Sequence, residues 1–528
     1  MDTKALRQKV LDLAIRGKLV PQDPNDEPAS ILLERIRQQK QQMVKDGKLK
    51  PKDIKNDTII FVSEDNLHYE KLADGSIKCI EDEIPFDLPE GWAWSRLGSL
   101  IKSFITGPFG SSLHKSDYVT DGIPLINPMN IVDGKIIPID KMQVSSETVE
   151  RLASFKVVPN DIIIARRGDM GRCAVVCPEQ DGWLCGTGSF VLRFPSALFP
   201  EYFAVCLRSS YSATYLSGNS IGNTMLNLNQ AILKSILLPV PPCDEQNRII
   251  NSIYSADVYF AEITNQQDQL AAYVAMAKSK ILDLAIRGQL VPQDPNDEPA
   301  SVLLERIRAE KEALIKAGKI KRDKKESVIF RGEDNSYYIR QDMHTEAIDN
   351  QFIFELLDNW EWCSLFNIAK IELGKTLDSA KNTGANHPYL RSVNVRWNGV
   401  DLTDLKEMRF EPEEIERYTV EQNDLLICEG GDVGRSCVWS NEQKILYQNA
   451  LHRVRFYGEC NPFYFMYYMM YYESRGIIKS LCKGVTIKHL TGNVLSLIPF
   501  ALPPIEEQNR IVDRLNQIFS LLDSILCD

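Results

Sequence analysis

The sequence lacks the patterns that mark membrane and secreted proteins. No run of 18 apolar residues occurs, so it predicts no membrane-spanning helix. Its first residues, Met1 to Ala5, lack the apolar core of a secretory signal. We therefore expect a soluble, cytoplasmic protein with no membrane partner.

Metal-binding spacings are also missing. The 12 cysteines include no Cys-x-x-Cys pair, and the six histidines form no pair at metal-ligand spacing. We expect free, mostly buried thiols in a reducing compartment and no metal site.

Catalytic motifs are equally scarce. The sequence contains no Walker phosphate-binding motif and no convincing set of nuclease carboxylates. Asn461-Pro462-Phe463-Tyr464 is close to a signature of adenine methyltransferases, but it lacks the second proline, and no glycine-rich cofactor motif precedes it. A proline in the first turn of a helix explains these residues better. We predict no catalytic residue and no cofactor in this chain.

What the sequence does contain is a long internal repeat. Residues 10–37 and 281–308 differ at only three of 28 positions, and such a repeat governs how every other motif is interpreted. Weaker similarities follow in the same order in both halves: Gly91-Trp92-Ala93-Trp94 with Asn359-Trp360-Glu361-Trp362, Asn160-Asp161-Ile162-Ile163 with Asn423-Asp424-Leu425-Leu426, and Glu245-Gln246-Asn247-Arg248-Ile249 with Glu507-Gln508-Asn509-Arg510-Ile511. The sequence predicts two diverged copies of one unit.

Long helices connect the copies. From Ile249 to Leu284 apolar residues recur at alternating steps of four and three, interrupted only by Gln267, which is typical of a coiled coil. The same spacing runs from Ile511 to the C-terminus and resumes near the N-terminus at Leu6. We infer a circularly permuted repeat in which the two chain ends together form a helix antiparallel to the central one. The alternative is an amphipathic helix lying on a globular core.

Two globular regions show short apolar strands, glycine-rich turns and one helical stretch each, at 202–216 and 463–472. This mixture indicates the α+β class. The predicted order is an N-terminal helical region at 1–50, a linker with short strands at 51–84, a first globular domain at 85–240, a central helical region at 241–325, a second linker at 326–351, a second globular domain at 352–504 and a C-terminal helix at 505–528.

The net charge of −11 counts against a nucleic-acid partner, but the charge is unevenly distributed. Residues 4–50 carry 11 Lys and Arg against 6 Asp and Glu, and residues 278–325 carry 12 against 8. DNA binding would therefore depend on local basic clusters or on a basic partner.

The order of these motifs resembles the specificity subunits of Type I restriction-modification systems. In the first copy the resemblance rests on Gly-Trp-x-Trp, on Thr106-Gly107-Pro108-Phe109-Gly110 and on Pro241-Pro242 before Glu245-Gln246-Asn247-Arg248-Ile249. The second copy repeats it with Leu373-Gly374-Lys375-Thr376 and Gly430-Gly431-Asp432-Val433-Gly434-Arg435. The resemblance covers nearly the whole chain, although the long linkers depart from more compact members.

The resemblance implies a non-catalytic subunit whose two globular domains are target recognition domains. Each would read one half of a split, asymmetric double-stranded DNA site, and the helices would set the spacer between the halves. Two modification subunits carrying S-adenosylmethionine would methylate adenine at N6. Restriction subunits using ATP and Mg would translocate and cut DNA. The alternative from another class is a duplicated protein-binding scaffold that does not recognise DNA sequence.

Side chains that can read base edges or contact phosphates occur in both domains. Arg172 and Arg435 follow Gly-Asp-x-Gly in both copies, so they suit a shared phosphate contact better than discrimination between bases. The glycines of these motifs, Gly168, Gly171, Gly431 and Gly434, are expected to form a tight turn. The predicted DNA-binding residues are Ser111, Ser112, Lys115, Asn127, Asn130, Arg166, Arg167 and Arg172 in the first domain and Lys375, Thr376, Arg391, Asn394, Arg396, Asn398, Arg435, Lys483 and Lys488 in the second.

Overall fold

The chain forms two compact units, Met1–Gln266 and Gln267–Asp528, in a computed structural model. The structure describes residues 2–109, 112–219, 227–322, 327–341, 343–348, 354–378, 382–482 and 489–527. Among these residues, no helix is both long enough and apolar enough to cross a membrane.

The first unit mixes short strands with helices. Its helices are α1 (Thr3–Ile15), α2 (Ala29–Lys45), α3 (Pro51–Ile54), α4 (Leu97–Leu100), α5 (Ser146–Arg151), α6 (Pro200–Arg208), α7 (Ser210–Asn219), α8 (Gln230–Ser235) and the start of α9 (Cys243–Ile286). Its strands are β1 (Ile59–Val62), β2 (His68–Lys71), β3 (Ile77–Cys79), β4 (Ala93–Arg96), β5 (Ser103–Thr106), β6 (Tyr118–Val119), β7 (Ile123–Ile126), β8 (Ile131–Val132), β9 (Lys135–Ile136), β10 (Gln143–Val144), β11 (Ile162–Ala165), β12 (Cys173–Val175), β13 (Leu184–Cys185), β14 (Ser189–Arg193) and β15 (Leu237–Val240).

The second unit holds the end of α9 and a similar set of elements. Its other helices are α10 (Ala300–Lys316), α11 (Leu365–Ile368), α12 (Pro462–Ser474), α13 (Ile477–Leu481), α14 (Gly492–Leu497) and α15 (Ile505–Cys527). Its strands are β16 (Ser327–Arg331), β17 (Tyr337–Gln341), β18 (His344–Ala347), β19 (Glu361–Ser364), β20 (Ala369–Leu373), β21 (Ala385–Leu390), β22 (Val395–Arg396), β23 (Gly399–Val400), β24 (Lys406–Phe410), β25 (Thr419–Val420), β26 (Leu425–Cys428), β27 (Ser436–Val438), β28 (Ile445–Tyr447), β29 (Leu451–Phe456) and β30 (Pro499–Leu502).

The two units share the topology of their main sheet, as their sequence similarity predicts, but their second sheets differ at one edge, where β6 pairs with β10 and β25 pairs with β28. An antiparallel sheet has the order β12-β11-β14-β5 in the first unit and β27-β26-β29-β20 in the second. A second sheet contains one parallel pair in each unit, β7 with β13 and β21 with β28. The prediction of two similar α+β domains is therefore confirmed.

Helix α1 lies antiparallel to the first part of α9. Thr3 Oγ1 is 3.3 Å from Thr264 Oγ1, and Arg7 Nε donates to Asp257 Oδ1 at 2.8 Å. Residue numbers therefore rise along α1 where they fall along α9, as in an antiparallel pair. In the second unit, Lys278 of α9 pairs with Asp523 of α15 at 2.5 Å. Each unit thus combines one end of the chain with one part of α9.

The predicted helix at 202–216 is wrong in one respect, because it is two helices. Ser209 separates α6 from α7 in extended backbone, with φ −66° and ψ 159°. The carboxylate of Asp12 in α1 accepts hydrogen bonds from the backbone N and the Oγ of Ser210, at 2.9 and 2.7 Å. A carboxylate at this position satisfies donors that the first turn of a helix leaves free. The break therefore depends on a residue about 200 positions away in the chain.

The Glu-Gln-Asn-Arg motif of the first unit fastens α9 to its own domain. Buried Glu245 accepts a hydrogen bond from Trp92 Nε1 at 2.9 Å and another from Gln22 Nε2 at 3.3 Å. Arg248 forms an ion pair with Asp26 at 2.5 Å. The loop that follows α1 is thereby tied to the start of α9.

The motif makes matching contacts in the second unit. Glu507 accepts from Trp360 Nε1 at 2.9 Å, and Arg510 pairs with Asp297 at 2.5 Å. Because the motif bonds to residues of the repeated helical region, its presence in both copies has a structural cause.

We predict that Glu245 makes the free energy of unfolding depend on pH. Burial raises the pKa of its carboxyl, although the hydrogen bonds from Trp92 and Gln22 act in the opposite direction. A carboxyl with a raised pKa in the folded state favours folding at low pH, and this contribution is lost as pH rises through that pKa. Relative to Glu245→Gln, the wild-type free energy of unfolding should rise as pH falls from 7 towards the ordinary value of 4.5. Urea unfolding of both proteins at several pH values measures this difference, and a difference that does not vary with pH would contradict it.

The segments predicted as linkers at 51–84 and 326–351 each contain a three-stranded antiparallel sheet, β1-β2-β3 and β16-β17-β18. In the first unit, buried Glu70 on one face of the sheet accepts from Arg96 of β4 at 2.8 Å. In the second unit, Ile329 packs against the main core. One face of each small sheet is therefore fixed to its own unit.

Candidate nucleic-acid interface

Five segments of the first unit meet at one end of its sheets. Four backbone hydrogen bonds hold them together: Gly107 N to Ser189 O at 3.0 Å, Arg166 N to Gly188 O at 2.8 Å, Gly186 N to Ile126 O at 2.9 Å and Leu228 N to Arg166 O at 2.9 Å. We call this end, with residues 107–109, 127–136, 166–172, 186–189 and 227–228, the first loop end.

The second unit has the same four bonds. They join Gly374 N to Leu451 O at 3.1 Å, Glu429 N to Ala450 O at 3.0 Å, Gln448 N to Leu390 O at 3.1 Å and Leu490 N to Glu429 O at 2.9 Å. The second loop end comprises residues 374–377, 391–400, 429–435, 447–451 and 489–490. The two loop ends thus share a backbone but differ in many side chains.

Glycine is required in the turn that follows β11 and β26. Gly171 and Gly434 both have φ of +84°, where a side chain would be strained. A Cβ at Gly171 would lie 2.3 Å from Leu207 O, and one at Gly434 would lie 2.7 Å from a side-chain carbon of Ile478. Each turn therefore packs against a helix, α6 in the first unit and α13 in the second, which gives its glycine a structural role.

Arg172 and Arg435 occupy the same position in these turns but differ in their partners. Arg435 is half-buried; it bonds to Asp432 in its own turn and donates to Ser392 O at 3.0 Å. Among the described residues, the Nε of each arginine is buried without a hydrogen-bond partner, so the difference lies in the terminal nitrogens of Arg435. Arg435 would have to leave Asp432 to contact a phosphate.

Two adjacent arginines give the first loop end an uncompensated positive charge. Arg166 is half-buried above the Phe190 ring at 4.8 Å, and Arg167 is exposed. Burial and the neighbouring Arg167 charge lower the pKa of Arg166. Within the described ranges, neither guanidinium has a carboxylate at ion-pair distance. An anion bound here would relieve this repulsion.

Other predicted residues of the first domain lie near the same end. Lys115 is exposed, Ser112 and Asn127 are half-buried, and Asn130 is buried. The side-chain oxygen Oδ1 of Asn130 accepts from Asn127 N at 3.0 Å, and its side-chain nitrogen Nδ2 donates to Ile137 O at 2.9 Å. The Asn130 side chain is therefore used inside the protein. Ser111 lies outside the described residues.

In the second domain, Thr376, Arg396 and Asn398 are exposed at the loop end. Arg391 is half-buried and pairs with Asp404 at 2.8 Å. Lys375 is buried, with only 5% of its surface accessible. Its amino group bonds to two carboxylates, Glu411 and Glu414. Lys483 and Lys488 lie outside the described residues.

Asn394 closes the turn of the second domain as Asn130 does in the first. It accepts from Arg391 N at 2.9 Å and donates to Asp401 O and Asp404 O at 2.9 and 3.1 Å. We expect Asn394→Ala to lower the free energy of unfolding by about 2 kcal/mol, because it removes three hydrogen bonds between a buried side chain and part-buried backbone groups. Denaturant unfolding measures the loss. Asn398→Ala, at an exposed position, is the matched control and should change stability by less than about 0.5 kcal/mol. Equal effects of the two substitutions would contradict this role.

Sequence reasoning missed the exposed apolar side chains at the loop ends. Phe109 is 67% exposed, Met129 55% and Val393 48%. Met129 and Val393 occupy the same position, one residue before the buried Asn of each turn. Apolar side chains can contact the thymine methyl group in a groove. A single sequence offers no signal that separates such residues from core residues.

His452 is a core residue that differs between the units. It stands where the first unit has Phe190, and its Nε2 lies 2.7 Å from Leu490 O. Burial lowers the pKa of this imidazole. Among the described residues, no cluster of His, Cys, Asp and Glu is arranged to hold a metal ion.

Comparison with known proteins matches both units to one family model. The model is described as the Type I restriction modification DNA specificity domain, and it matches residues 89–271 and 358–525. The chain belongs to this family.

Related specificity subunits match nearly the whole chain. The EcoAI specificity subunit of Escherichia coli is 27% identical over 99% of this chain and 90% of its own length. The EcoEI specificity subunit of Escherichia coli is 26% identical over the same shares. A chain from a solved type I restriction-modification complex covers 84% of this chain and 93% of its own length, with a TM-score of 0.50 and 19% identity.

This chain is a DNA sequence-recognition subunit of a Type I restriction-modification system. Specificity subunits are the non-catalytic members of these systems, and catalysis resides in other subunits. Its partners are DNA and the modification and restriction subunits.

Proposed function

We propose that each loop end reads one half of a bipartite, asymmetric DNA site. The observation that carries the proposal is that four equivalent backbone bonds hold two different sets of side chains. A common backbone supplies one mode of docking, whereas different side chains supply different base preferences. Two identical domains would instead favour a symmetric site.

Residues at equivalent, accessible positions are the proposed readers. In the hairpin β8–β9, Val132 corresponds to Arg396 of β22–β23, and Gly134 corresponds to Asn398. Arginine suits guanine O6 and N7, and asparagine suits adenine N6 and N7. We propose Arg396, Asn398 and Thr376 as readers in the second domain.

The turns after β11 and β26 differ in charge. Glu429 stands in the place of Arg166. The backbone N of each donates to the residue just before the neighbouring strand, β29 or β14, and its carbonyl accepts from Leu490 or Leu228. Carboxylates accept from cytosine N4, whereas arginines bind guanine or phosphate. The first turn is suited to an anionic contact and the second is not. Buried Asn130, Asn394 and Lys375 are left out of the proposed readers because their side chains are already engaged.

We propose that α9, with the helices of the chain ends beside it, sets the spacer between the half-sites as a coiled coil. The helix has 44 residues and belongs to both units. At about 1.5 Å per residue it is roughly 65 Å long. The contacts of α1 and α15 with α9 support this role.

We further propose that two modification subunits join each chain, one for each recognition domain, and that the assembly works in the cytoplasm. The repeated helical region supports the number, since it offers the same residues twice. S-adenosylmethionine belongs to the modification partner, which flips out and methylates adenine, and ATP with Mg belongs to the restriction partner.

Binding of the assembled methyltransferase complex to DNA tests the proposal. We expect one bipartite sequence to be preferred, with affinity that falls steeply as salt rises. Arg167→Ala should weaken binding about tenfold to every sequence if it contacts phosphate, because phosphate contacts carry no base preference. Lys55→Ala, in the helical and sheet region, is the matched control with no expected effect. Absence of any sequence preference would contradict the proposed function and favour the protein-binding scaffold.

A further inference from the structure

Each small sheet exposes the same face in both units. In the first unit Phe61 pairs across strands with Tyr69, and their rings stack with centroids 6.1 Å apart and an angle of 26°. In the second unit Phe330 pairs with Tyr338 in the same register, at 5.9 Å and 26°. This face points away from the side that holds Glu70 or Ile329.

The similarity extends along the face. Lys71 lies between Ile59 and Ile77, and Arg340 lies between Val328 and Thr345. Both tyrosines donate to an aspartate at 2.8 Å, Tyr69 to Asp65 and Tyr338 to Asp334. The shared pattern is therefore an aromatic pair, a cation and an aliphatic residue on two adjacent strands.

In the first unit this face borders a groove against α2. The groove has a volume of about 480 Å³ and includes Ile59, Phe61 and Lys71 from the sheet. Its helical wall is formed by Ser30, Leu33, Glu34 and Arg37.

Packing accounts for only part of the identity of this wall in the two copies. Ala29, Leu32 and Ile36 are buried, and the core explains why they recur as Ala300, Leu303 and Ile307. Leu33 and Leu304 also pack partly against their cores. Ser30, Glu34 and Arg37 line the groove instead, and they recur without change as Ser301, Glu305 and Arg308. The loop ends, by contrast, differ in sequence. A surface kept the same in both copies fits a ligand that is the same for both.

The charge around the sheets favours a protein partner over DNA. Residues 51–84 carry nine Asp and Glu against four Lys and Arg, and residues 326–351 carry six against two. Segments with this excess of acid repel phosphates but complement a basic protein surface. Aromatic residues at the centre of an interface commonly supply much of its binding energy.

We propose that the exposed face of each small sheet, with the adjoining face of α2 or α10, is the docking surface for one modification subunit. The docked surface has an apolar centre and a basic rim. This inference rests on the proposed function, in which one such subunit serves each recognition domain.

Native mass measurement of the full chain with the modification subunit of its own system tests the surface. Phe61→Thr should remove one bound modification subunit, and Phe61→Thr with Phe330→Thr should remove both, with affinity lowered at least tenfold at each changed site. Threonine retains a high strand propensity. Val62→Thr is the matched control, since Val62 is 56% exposed on the opposite face of the same strand, and its effect should stay within twofold.

A second variant avoids the sheet altogether. Glu34→Arg with Glu305→Arg reverses charge on the helical wall and should also lower affinity at least tenfold. Retention of both subunits by the two double variants, within twofold of wild type, would overturn the inference. The inference would also be overturned if a double variant lost DNA binding as an isolated chain and still bound both modification subunits. A wild-type chain that binds no modification subunit contradicts the proposed function together with this inference.

Discussion

Exchanging residues 85–240 for the matching domain of another specificity subunit should change one half of the methylated sequence and leave the other half unchanged. The first loop end is held by bonds within its own unit, so the exchange supplies new readers without altering those of the second unit. Losing or gaining one bidentate base contact is worth about 1 to 3 kcal/mol of discrimination, and several change at once. Methylation mapping of DNA from cells with the exchanged subunit gives the result directly.

Exchanging residues 352–504 is the matched control and should change only the other half-site. Each incoming domain must carry a tryptophan at the position of Trp92 or Trp360, because Glu245 and Glu507, which lie outside the exchanged residues, accept a hydrogen bond from it. A change in both half-sites from either single exchange would contradict independent reading.

Deleting seven residues from the middle of α9, Asn265 to Ala271, should abolish recognition of the original spacer. The deletion lies between the contact of Thr264 with α1 and that of Lys278 with α15, so it spares both. Seven residues shorten a helix by about 10 Å, which corresponds to about three base pairs of DNA. Methylation should move to sites with a spacer shorter by about three base pairs, and methylation of the original sites should fall at least tenfold.

The control replaces the same seven residues by seven alanines, which keeps the length of α9. It should preserve the original spacer, since alanine has the highest helix propensity. An unchanged spacer after the deletion would contradict the proposed role of α9.

The helices were predictable because their signals are local. Alternating steps of four and three from Ile249, and glycine at 17 and 288, predicted long helices and their ends. The structure starts α9 at Cys243 and ends it at Ile286. The gap at Ser209 was only partly predictable: the Ser209 hydroxyl caps α7 locally by accepting from Ser212 N at 3.3 Å, but the second cap comes from distant Asp12.

The candidate site was predictable only in outline. Residue type identified Arg166, Arg167 and Arg396, which are accessible to solvent. Residue type also identified Lys375 and Asn394, which are buried against partners on other strands and turns. The sequence near Lys375 does not indicate that Glu411 and Glu414 meet its amino group, because that contact depends on the fold.

The repeat carried more information than any single motif. It predicted two similar domains, and the matching hydrogen bonds of Trp92 and Trp360 confirm that similarity at the level of side chains. It did not predict the third strand of each small sheet, because β3 and β18 share little sequence.

Mapping methylated adenines across the DNA of cells that contain this chain and its modification partner tests the central claim most directly. We expect one motif with two different specified halves, a fixed unspecified spacer between them and one methylated adenine in each half. A palindromic motif, or a single continuous one, would contradict reading by two unlike domains held at a set distance.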